Sequence, residues 1–361
     1  MTAAAQTPRK RIKVLVIDDS ALIRKVLTEL LGADLEIEVV GTAADPLVAR
    51  EKIKELNPDV LTLDIEMPNL DGLAFLERLM RLRPMPVVMV SSLTQKDADI
   101  TLQALEMGAV DFIAKPALDL AQGLAAIQEE VTSKVKAAAR AIVHGRQAPP
   151  PRVPRAKSAF RGSNRLVAIG ASTGGVAALR EVLAALPADA PPILIAQHMP
   201  PGFTTLFARR LDGLCAMKVS EAEHDARIIP GHVYIAPGDR HLSVVKSGGF
   251  YQCHLAGGAL VNGHMPSVDV LFDSCAAEVR ADAVGLLLTG MGRDGAEGLR
   301  RMRNAGASTA CQDEASCLIY GMPKAAMAIG AAEREVALDA IPDYILEQTR
   351  AARKSKDAKA S

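Results

Sequence analysis

The sequence predicts an α/β protein with two folding units. Its 361 residues exceed the roughly 150 that are typical of one domain. Hydrophobic residues make up 49% of the chain and charged residues 23%, so each half can bury a core and global disorder is not expected. Short apolar runs alternate with amphipathic stretches, which is the pattern of parallel sheets covered by helices on both faces.

Composition excludes several classes of function. Lys plus Arg and Asp plus Glu both number 42, so a formal net charge of zero gives no electrostatic basis for binding nucleic acid. No apolar run approaches the roughly 20 residues of a membrane span, and no signal-type hydrophobic segment follows the basic N-terminal residues. We therefore expect a cytoplasmic protein without membrane insertion. Five scattered cysteines, with no C-x-x-C pair, indicate neither a disulfide framework nor a zinc site.

The N-terminal half contains five apolar runs that predict a parallel five-stranded sheet. These runs are Ile12–Ile17, Ile37–Ala43, Val60–Leu63, Pro86–Val90 and Val110–Ala114. Strands of this near-continuous Val/Ile/Leu type are typical of sheets that are buried on both faces. Functional residues of such sheets lie beyond the carboxyl ends of the strands.

A basic, proline-rich segment separates the two halves. Acidic residues are absent between Val131 and Arg180, and prolines stand at positions 149, 150, 151 and 154. Because consecutive prolines support neither a helix nor a central strand, we expect a semi-rigid spacer at 143–163. The predicted domains are then 11–142 and 164–350.

Polar residues follow the predicted strands of the N-terminal half. Asp18 and Asp19 come directly after the first run, Asp64 after the third, Ser91 after the fourth and Lys115 after the fifth. Three carboxylates at one sheet edge repel each other and need a cation, and oxygen ligands suit Mg²⁺. With that ion a carboxylate can accept a phosphoryl group, whose oxygens the lysine and serine can then contact. Taken singly, each residue is more commonly a helix cap, a turn residue or a loop residue, and it is the five together at the strand ends that favour the functional interpretation.

The N-terminal half resembles the receiver domain of response regulators. The resemblance is carried by these residues together with the segment Glu66–Gly72, Phe112 and Pro116. It implies a flavodoxin-like fold with strand order 2-1-3-4-5. It also implies that Asp64 is the phosphoacceptor, that Asp18, Asp19 and Asp64 hold the metal, and that Ser91, Phe112 and Lys115 form the switch.

The C-terminal half opens with a strand, a glycine-rich turn and a helix. Leu166–Gly170 is the predicted strand, Val176–Leu186 the helix, and Gly170–Gly174 matches G-x-S-x-G around Ser172. Glycines permit the sharp turn, and the helix N-terminus favours negative charge nearby. The match alone fits a nucleophile, a phosphate-binding loop or a purely structural turn.

A serine nucleophile needs a base and an orienting acid. His198 follows the apolar run Ile193–Gln197, so it is expected at the same sheet edge as Ser172. Asp294 lies in a glycine loop after the strand Val284–Thr289, and the Met291 N–H of that loop can stabilise an oxyanion. The other six histidines are expected to be surface or hydrogen-bonding residues. The order Ser…His…Asp differs from that of α/β-hydrolases.

Several further motifs make the C-terminal half similar to the chemotaxis protein-glutamate methylesterase family. The motifs are Ile169–Gly175, Gln197–Pro200, Tyr234–Asp239, Pro266–Asp269, Leu288–Gly295 and Gln312–Cys317. The resemblance implies a doubly wound α/β catalytic domain with Ser172 as nucleophile, His198 as base, Asp294 as orienting acid, Met291 N–H in the oxyanion hole and Thr173 in support.

The resemblance also implies a reaction and its control. The expected activity is hydrolysis of glutamate γ-methyl esters, and deamidation of certain glutamines, on chemoreceptors, without a cofactor for the hydrolase. A chemotaxis histidine kinase is the expected phosphodonor, and the receiver is expected to shield the cleft until Asp64 is phosphorylated. A DNA-binding response regulator and a catalytically silent scaffold are the alternatives; the first lacks a basic helix-turn-helix module.

Overall fold

The chain divides into two compact units, Met1–Ala148 and Pro149–Ser361. The computed structural model describes residues 10–67, 72–92, 94–115, 124–143 and 165–350. Apart from Val143, the predicted linker lies outside the described residues, as do positions 68–71 and Pro116 of the receiver motif. The domain bounds 11–142 and 164–350 therefore stay predictions.

The first unit is a five-stranded parallel sheet with alternating helices. Its elements are β1 Ile12–Ile17, α1 Ala21–Gly32, β2 Ile37–Ala43, α2 Pro46–Leu56, β3 Val60–Asp64, α3 Gly72–Leu82, β4 Val87–Ser91, α4 Gln95–Glu106, β5 Asp111–Ala114 and α5 Leu124–Ala138. The strand order is β2-β1-β3-β4-β5, and every adjacent pair is parallel. The predicted receiver-type fold class is confirmed, and the strand bounds agree with the predicted runs to within one residue.

N-capping residues begin three helices of the first unit close to the strand ends that precede them. The Ser20 hydroxyl accepts from the Ile23 N–H at 3.4 Å at the start of α1. Asp45 accepts from the first amides of α2, where Pro46 adds a preset backbone angle. Thr94 accepts from the Asp97 N–H at 3.2 Å at the start of α4. These caps leave short loops at the carboxyl edge of the sheet, where the predicted polar residues lie.

The second unit is built on a seven-stranded parallel sheet. Its elements are β6 Leu166–Ala171, α6 Gly175–Ala184, β7 Ile193–Gln197, α7 Phe203–Asp212, β8 Lys218–Glu221, β9 His232–Ile235, β10 His241–Ser247, β11 Phe250–Ala256, α8 Val268–Glu278, β12 Ala283–Leu287, α9 Ala296–Asn304, β13 Ser308–Gln312, α10 Met322–Ala328, β14 Arg334–Val336 and α11 Ile341–Thr349. The order is β14-β13-β12-β6-β7-β9-β8. The chain winds outward from β6 in one direction and then from β12 in the other, which confirms a doubly wound fold.

The central strands are buried along their whole length. Every residue of β6, β7 and β12 is buried. This burial on both faces explains why the sequences of these strands are unbroken apolar runs and do not alternate between apolar and polar residues. The adjacent carboxyl ends of β12 and β6 flank the switch in winding direction, where ligand sites of open α/β sheets form.

An antiparallel hairpin of β10 and β11, which was not predicted from the sequence, lies outside the main sheet. It pairs His241 with Ala256 through to Ser247 with Phe250, and the Val244 N–H donates to Ser274 Oγ of α8 at 2.9 Å. The hairpin thereby packs beside α8, the helix whose first residues reach the strand ends of the main sheet.

Over the described ranges, none of the helices has both the length and the apolar character of a membrane span.

Candidate functional site

Three carboxylates meet at the carboxyl edge of the first sheet. Asp18 and Asp19 follow β1 and Asp64 ends β3, and their ligand atoms lie within 4.8 Å of one another. Asp18 and Asp64 are buried, whereas Asp19 is exposed. The Asp18 Oδ2 atom is buried without a hydrogen-bond partner. A hard divalent cation fits this all-oxygen donor set and would satisfy that atom.

The electrostatics of the cluster favour a cation. Burial raises the pKa of Asp18 to about 6, and the negative charge of Asp64 adds to the shift. Burial also raises the pKa of Asp64, although a hydrogen bond from Lys115 opposes the shift. A bound cation stabilises both ionised forms, so it reverses the effect of burial.

Lys115 and Ser91 lie beside the same carboxylate edge. The Lys115 Nζ atom is 2.9 Å from Asp64 Oδ1 and 3.0 Å from Oδ2. Ser91 ends β4, and its backbone carbonyl accepts from the Lys115 N–H at 2.7 Å. The Thr101 hydroxyl donates to Ser91 Oγ at 2.8 Å, a contact that sequence reasoning missed.

Phe112 lies on β5 and is 6% exposed. The Lys134 Nζ atom of α5 lies 5.1 Å from the centre of its ring and donates to the Phe112 carbonyl at 2.7 Å. The predicted switch aromatic is therefore turned into the first unit, in contact with α5.

In the second unit, Ser172 stands directly after β6 at the start of a tight turn. Its N–H donates to the Thr289 carbonyl at 3.0 Å, and its own carbonyl accepts from the Gly175 N–H at 2.7 Å. Gly174, in the turn, has φ of 82°, a left-handed conformation that favours glycine. The turn therefore holds Ser172 against the strand end after β12, beside the N-terminus of α6.

His198 and Asp294 form a hydrogen-bonded pair. The His198 Nε2 atom is 2.8 Å from Asp294 Oδ2, and both side chains are buried, 7% and 1% exposed. An ionised carboxylate only accepts hydrogen bonds, so Nε2 must carry a proton, and a neutral ring then has its lone pair on Nδ1. The Nδ1 atom is buried without a partner.

Ser172 and His198 follow neighbouring strands in register. Ala171 of β6 pairs with Gln197 of β7, and the His198 N–H donates to the Ala171 carbonyl at 3.1 Å. None of the hydrogen bonds formed by the described residues joins the Ser172 hydroxyl to the imidazole. Catalytic hydrogen bonds are often incomplete in a ligand-free enzyme and tighten on substrate binding.

The Asp294 carboxylate accepts from four further groups besides the imidazole. Ser267 Oγ and Asn262 Nδ2 donate to Oδ1 at 2.9 and 2.7 Å, and the backbone N–H groups of Val268 and Asp269 donate at 2.7 and 3.3 Å. Burial raises the pKa of Asp294, but the hydrogen bonds from His198 and Asn262 outweigh burial, so the pKa lies well below its usual range. Asp294 is therefore ionised, and its negative charge is held against the N-terminus of α8.

The loop that follows β12 and carries Met291 passes beside Ser172 at Gly290. A Cβ atom on Gly290 would lie 2.8 Å from the Ser172 Cβ, so the backbone of the loop passes against the serine. The Gly290 carbonyl accepts from the Met322 N–H at 2.8 Å, which fixes the loop. Within the described residues, no acceptor takes the Met291 N–H, which leaves it available for a ligand.

Thr173 is 7% exposed, and its carbonyl accepts from Thr289 Oγ1 at 3.0 Å.

The structure adds residues that sequence reasoning missed. Gln197 is buried, and its Nε2 donates to the Ser172 carbonyl at 3.0 Å and to the His198 carbonyl at 3.2 Å, which links the two turns. The His264 ring stacks on the His198 ring with 3.7 Å between centroids and 12° between planes. His264 was expected to be an ordinary surface or hydrogen-bonding residue. The dipeptide Asn262–Gly263, a tight-turn signal, could have drawn attention to it.

Comparisons with known proteins agree with both units. The family model of the CheB methylesterase matches residues 167–345, and that of the response regulator receiver domain matches residues 14–128. The protein-glutamate methylesterase/protein-glutamine glutaminase 2 of Cupriavidus pinatubonensis is 54% identical over 351 residues, which cover 96% of this chain and 96% of that protein. The protein-glutamate methylesterase/protein-glutamine glutaminase of Paraburkholderia xenovorans is 55% identical over 340 residues, which cover 91% of this chain and 94% of that protein.

Among solved structures, the catalytic domain of Thermotoga maritima CheB methylesterase is 37% identical with a TM-score of 0.50. The matched region covers 51% of this chain and 98% of that domain. Since relatives more than half identical match the chain over nearly its entire length, the protein belongs to the CheB family of protein-glutamate methylesterases/protein-glutamine glutaminases.

Proposed function

We propose that Ser172 is the nucleophile, His198 the general base and Asp294 the orienting acid of a hydrolase that acts on chemoreceptors. The chain is a protein-glutamate methylesterase and protein-glutamine glutaminase under receiver control. The observation that carries the residue assignment is the buried pair in which His198 Nε2 lies 2.8 Å from Asp294 Oδ2, while Nδ1 of the same ring has no partner. His198 follows β7, which pairs with β6, the strand that Ser172 follows.

The reaction runs through an acyl-enzyme. The Ser172 Oγ atom attacks the γ-carbonyl carbon of a methylated glutamate while its proton passes to Nδ1 of His198. The tetrahedral intermediate collapses, the C–O bond to the methoxy group breaks, and the imidazolium gives its proton to the departing methoxide, which leaves as methanol. Water then repeats the sequence, which releases a glutamate side chain and restores the serine. With a glutamine substrate the same steps release ammonia.

Asp294 and Met291 stabilise charge that develops in this reaction. The Asp294 carboxylate lies 2.8 Å from the imidazole nitrogen and favours the imidazolium over the neutral ring. The Met291 N–H donates to the oxyanion, and one such donor is typically worth about 10²–10³ in kcat. Thr173 supports the turn through its carbonyl, which Thr289 holds.

The receiver unit takes its phosphoryl group on Asp64. A divalent metal is required, and Mg²⁺ held by Asp18, Asp19 and Asp64 would neutralise charge on the transferring group. Lys115, already paired with Asp64 at 2.9 Å, then pairs with a phosphoryl oxygen, and the Ser91 hydroxyl donates to another. These contacts shift the receiver between two states, with buried Phe112 as the aromatic that reports the change to α5.

The partners follow from the chemistry of the two units. A chemotaxis histidine kinase is the proposed phosphodonor, and methylated chemoreceptors are the proposed substrates. Both proposals place the protein in the cytoplasm, where the signalling parts of such receptors lie.

Release of methanol from membranes that carry methylated receptors tests the assignment. We expect the Ser172→Ala variant to lose at least about 10³-fold of the wild-type rate, because the nucleophile is gone. The Ser243→Ala variant, on the hairpin strand β10, is the matched control and should keep the wild-type rate. Substantial demethylation by a folded Ser172→Ala variant would refute the nucleophile.

A further inference from the structure

A single hydrogen bond leaves the plane of the His198 ring undetermined. The contact between Nε2 and Asp294 Oδ2, at 2.8 Å, fixes the position of one ring atom. The ring can still twist about that contact because Nδ1, the other nitrogen, has no hydrogen-bond partner. A general base must hold its lone pair toward the incoming proton before the reaction starts. Another group has to fix the plane of the ring.

His264 supplies that constraint. Its ring lies against the His198 ring with 3.7 Å between centroids and planes only 12° apart. Two rings packed face to face at van der Waals distance resist any twist that would drive an edge of one into the other. The stack leaves the nitrogen atoms in the plane of the His198 ring open to Asp294 on one side and to a proton donor on the other.

A tight turn carries His264 to this position. The Val261 and His264 backbones exchange hydrogen bonds of 3.1 and 3.0 Å. Asn262 and Gly263 between them have φ of 54° and 81°, the positive values that a type I′ turn requires at both central residues.

The same turn is tied to the carboxylate that holds His198. The Asn262 Nδ2 group donates to Asp294 Oδ1 at 2.7 Å and to Asp269 Oδ2 at 2.6 Å. Asp269 in turn accepts from the Gly298 N–H of α9. The turn is therefore anchored on the pair that it orients, and a displacement of Asn262 would move His264.

We propose that the turn Val261–His264 is a positioning element of the active site, in which Asn262 anchors the turn on Asp294 and the His264 ring sets the plane of the His198 imidazole. His264 acts through His198, so planarity of its side chain matters more than its ability to titrate. This inference rests on the proposed function of Ser172 and His198.

Three substitutions at position 264 separate stacking from other roles. In the full chain, with methylated receptor membranes as substrate, His264→Phe keeps a flat ring and should retain kcat within about threefold. His264→Leu, which fills similar space without a flat face, and His264→Ala should lose about tenfold or more of kcat with KM within about twofold, because small misplacements of a base cost that much. The His254→Ala variant, from the tilted His224–His254 pair, is the matched control and should match the wild type.

A double substitution tests whether Asn262 and His264 act together. Asn262→Ala alone should also lower kcat, and the double variant Asn262→Ala/His264→Ala should lose little more than the worse single variant. Multiplicative losses would contradict a single positioning element. Equal kcat for folded His264→Phe and His264→Leu, or a rise in KM at unchanged kcat, would overturn the stacking role. Activity that survives Ser172→Ala would instead refute the proposed function itself.

Discussion

Asp294 shows how much one side chain can organise. Its two oxygen atoms accept from the His198 imidazole, from Asn262 and Ser267, and from the first amides of α8. A buried carboxylate costs free energy unless such donors satisfy it. Only the ionised carboxylate can accept hydrogen bonds from all of these donors. Asp294 therefore stays charged and gives the imidazole a fixed counter-ion.

Replacement of Asp294 by asparagine should therefore damage catalysis severely. The amide introduced by Asp294→Asn would offer a donor to the Val268 N–H or to His198 Nε2, and the imidazolium would lose its counter-ion. We expect a loss of kcat of about 10³–10⁴-fold in methanol release, as for asparagine in other serine triads. A loss below tenfold in a folded variant would contradict the role of Asp294.

The lowered pKa of Asp294 also predicts a pH dependence of stability. Its folded-state pKa lies below its unfolded value, so its stabilising contribution is fully present above about pH 4 and is lost as the pH falls through the folded pKa. Thermal unfolding of wild type and Asp294→Asn from pH 3 to 7 measures this. The difference in Tm should be widest near neutral pH and should narrow below about pH 4; a constant difference would count against the assignment.

At the scale of elements, the active site depends on how closely strand ends and loops approach one another. β6, β7 and β12 end at one edge, and the loop after β12 passes against the turn after β6 with no room for a side chain at Gly290. Asp294 lies in that same loop, and the first backbone N–H groups of α8, those of Val268 and Asp269, donate to its carboxylate. The loop therefore carries both the proposed oxyanion donor, Met291, and the proposed orienting acid, Asp294.

Addition of one methyl group at Gly290 should disturb this approach. A Cβ there would lie 2.8 Å from the Ser172 Cβ and would also clash with Met322. We expect Gly290→Ala to lower kcat by about 10²-fold and to destabilise the protein by roughly 1–3 kcal/mol, since overpacking shifts the loop. Gly249→Ala, in the β10–β11 turn where no atom lies within 4 Å, should match the wild type in methanol release and in Tm.

At the scale of the whole molecule, one chain joins a phosphate-accepting unit to a hydrolase. Each unit has its own parallel sheet with its own carboxyl edge. The acidic cluster lies at the edge of the first sheet and the Ser172 turn at the edge of the second. Control of one by the other is thus a property of the full chain, and it must be measured on the full chain.

Addition of a small phosphodonor with Mg²⁺ should raise the rate of methanol release. Allosteric coupling energies of ordinary size correspond to roughly 5–150-fold. The response should disappear in Asp64→Asn, which removes the proposed phosphoacceptor, and when EDTA chelates the added Mg²⁺. An unchanged wild-type rate, with phosphorylation confirmed by mass spectrometry, would be evidence against control by the receiver.

The sequence predicted the sheets well because buried parallel strands carry their own signal. β1, β2 and β7 have the predicted bounds, since unbroken Val, Ile and Leu runs have few alternatives in a soluble chain. The β10–β11 hairpin was missed although Gly248 and Gly249, a pair that favours a two-residue hairpin loop, separate its strands. Its strands mix polar with apolar residues, and most of β11 is only partly buried, so they lack the unbroken apolar runs of the other strands.

Local sequence determined where Ser172 and His198 stand, since each directly follows a strand, and strand ends of parallel sheets share one edge. The tertiary structure alone decided which ring nitrogen of His198 meets Asp294, that Gln197 joins two turns, and that His264 stacks on His198. These are contacts between side chains far apart in the chain, and their geometry depends on packing that no local pattern encodes.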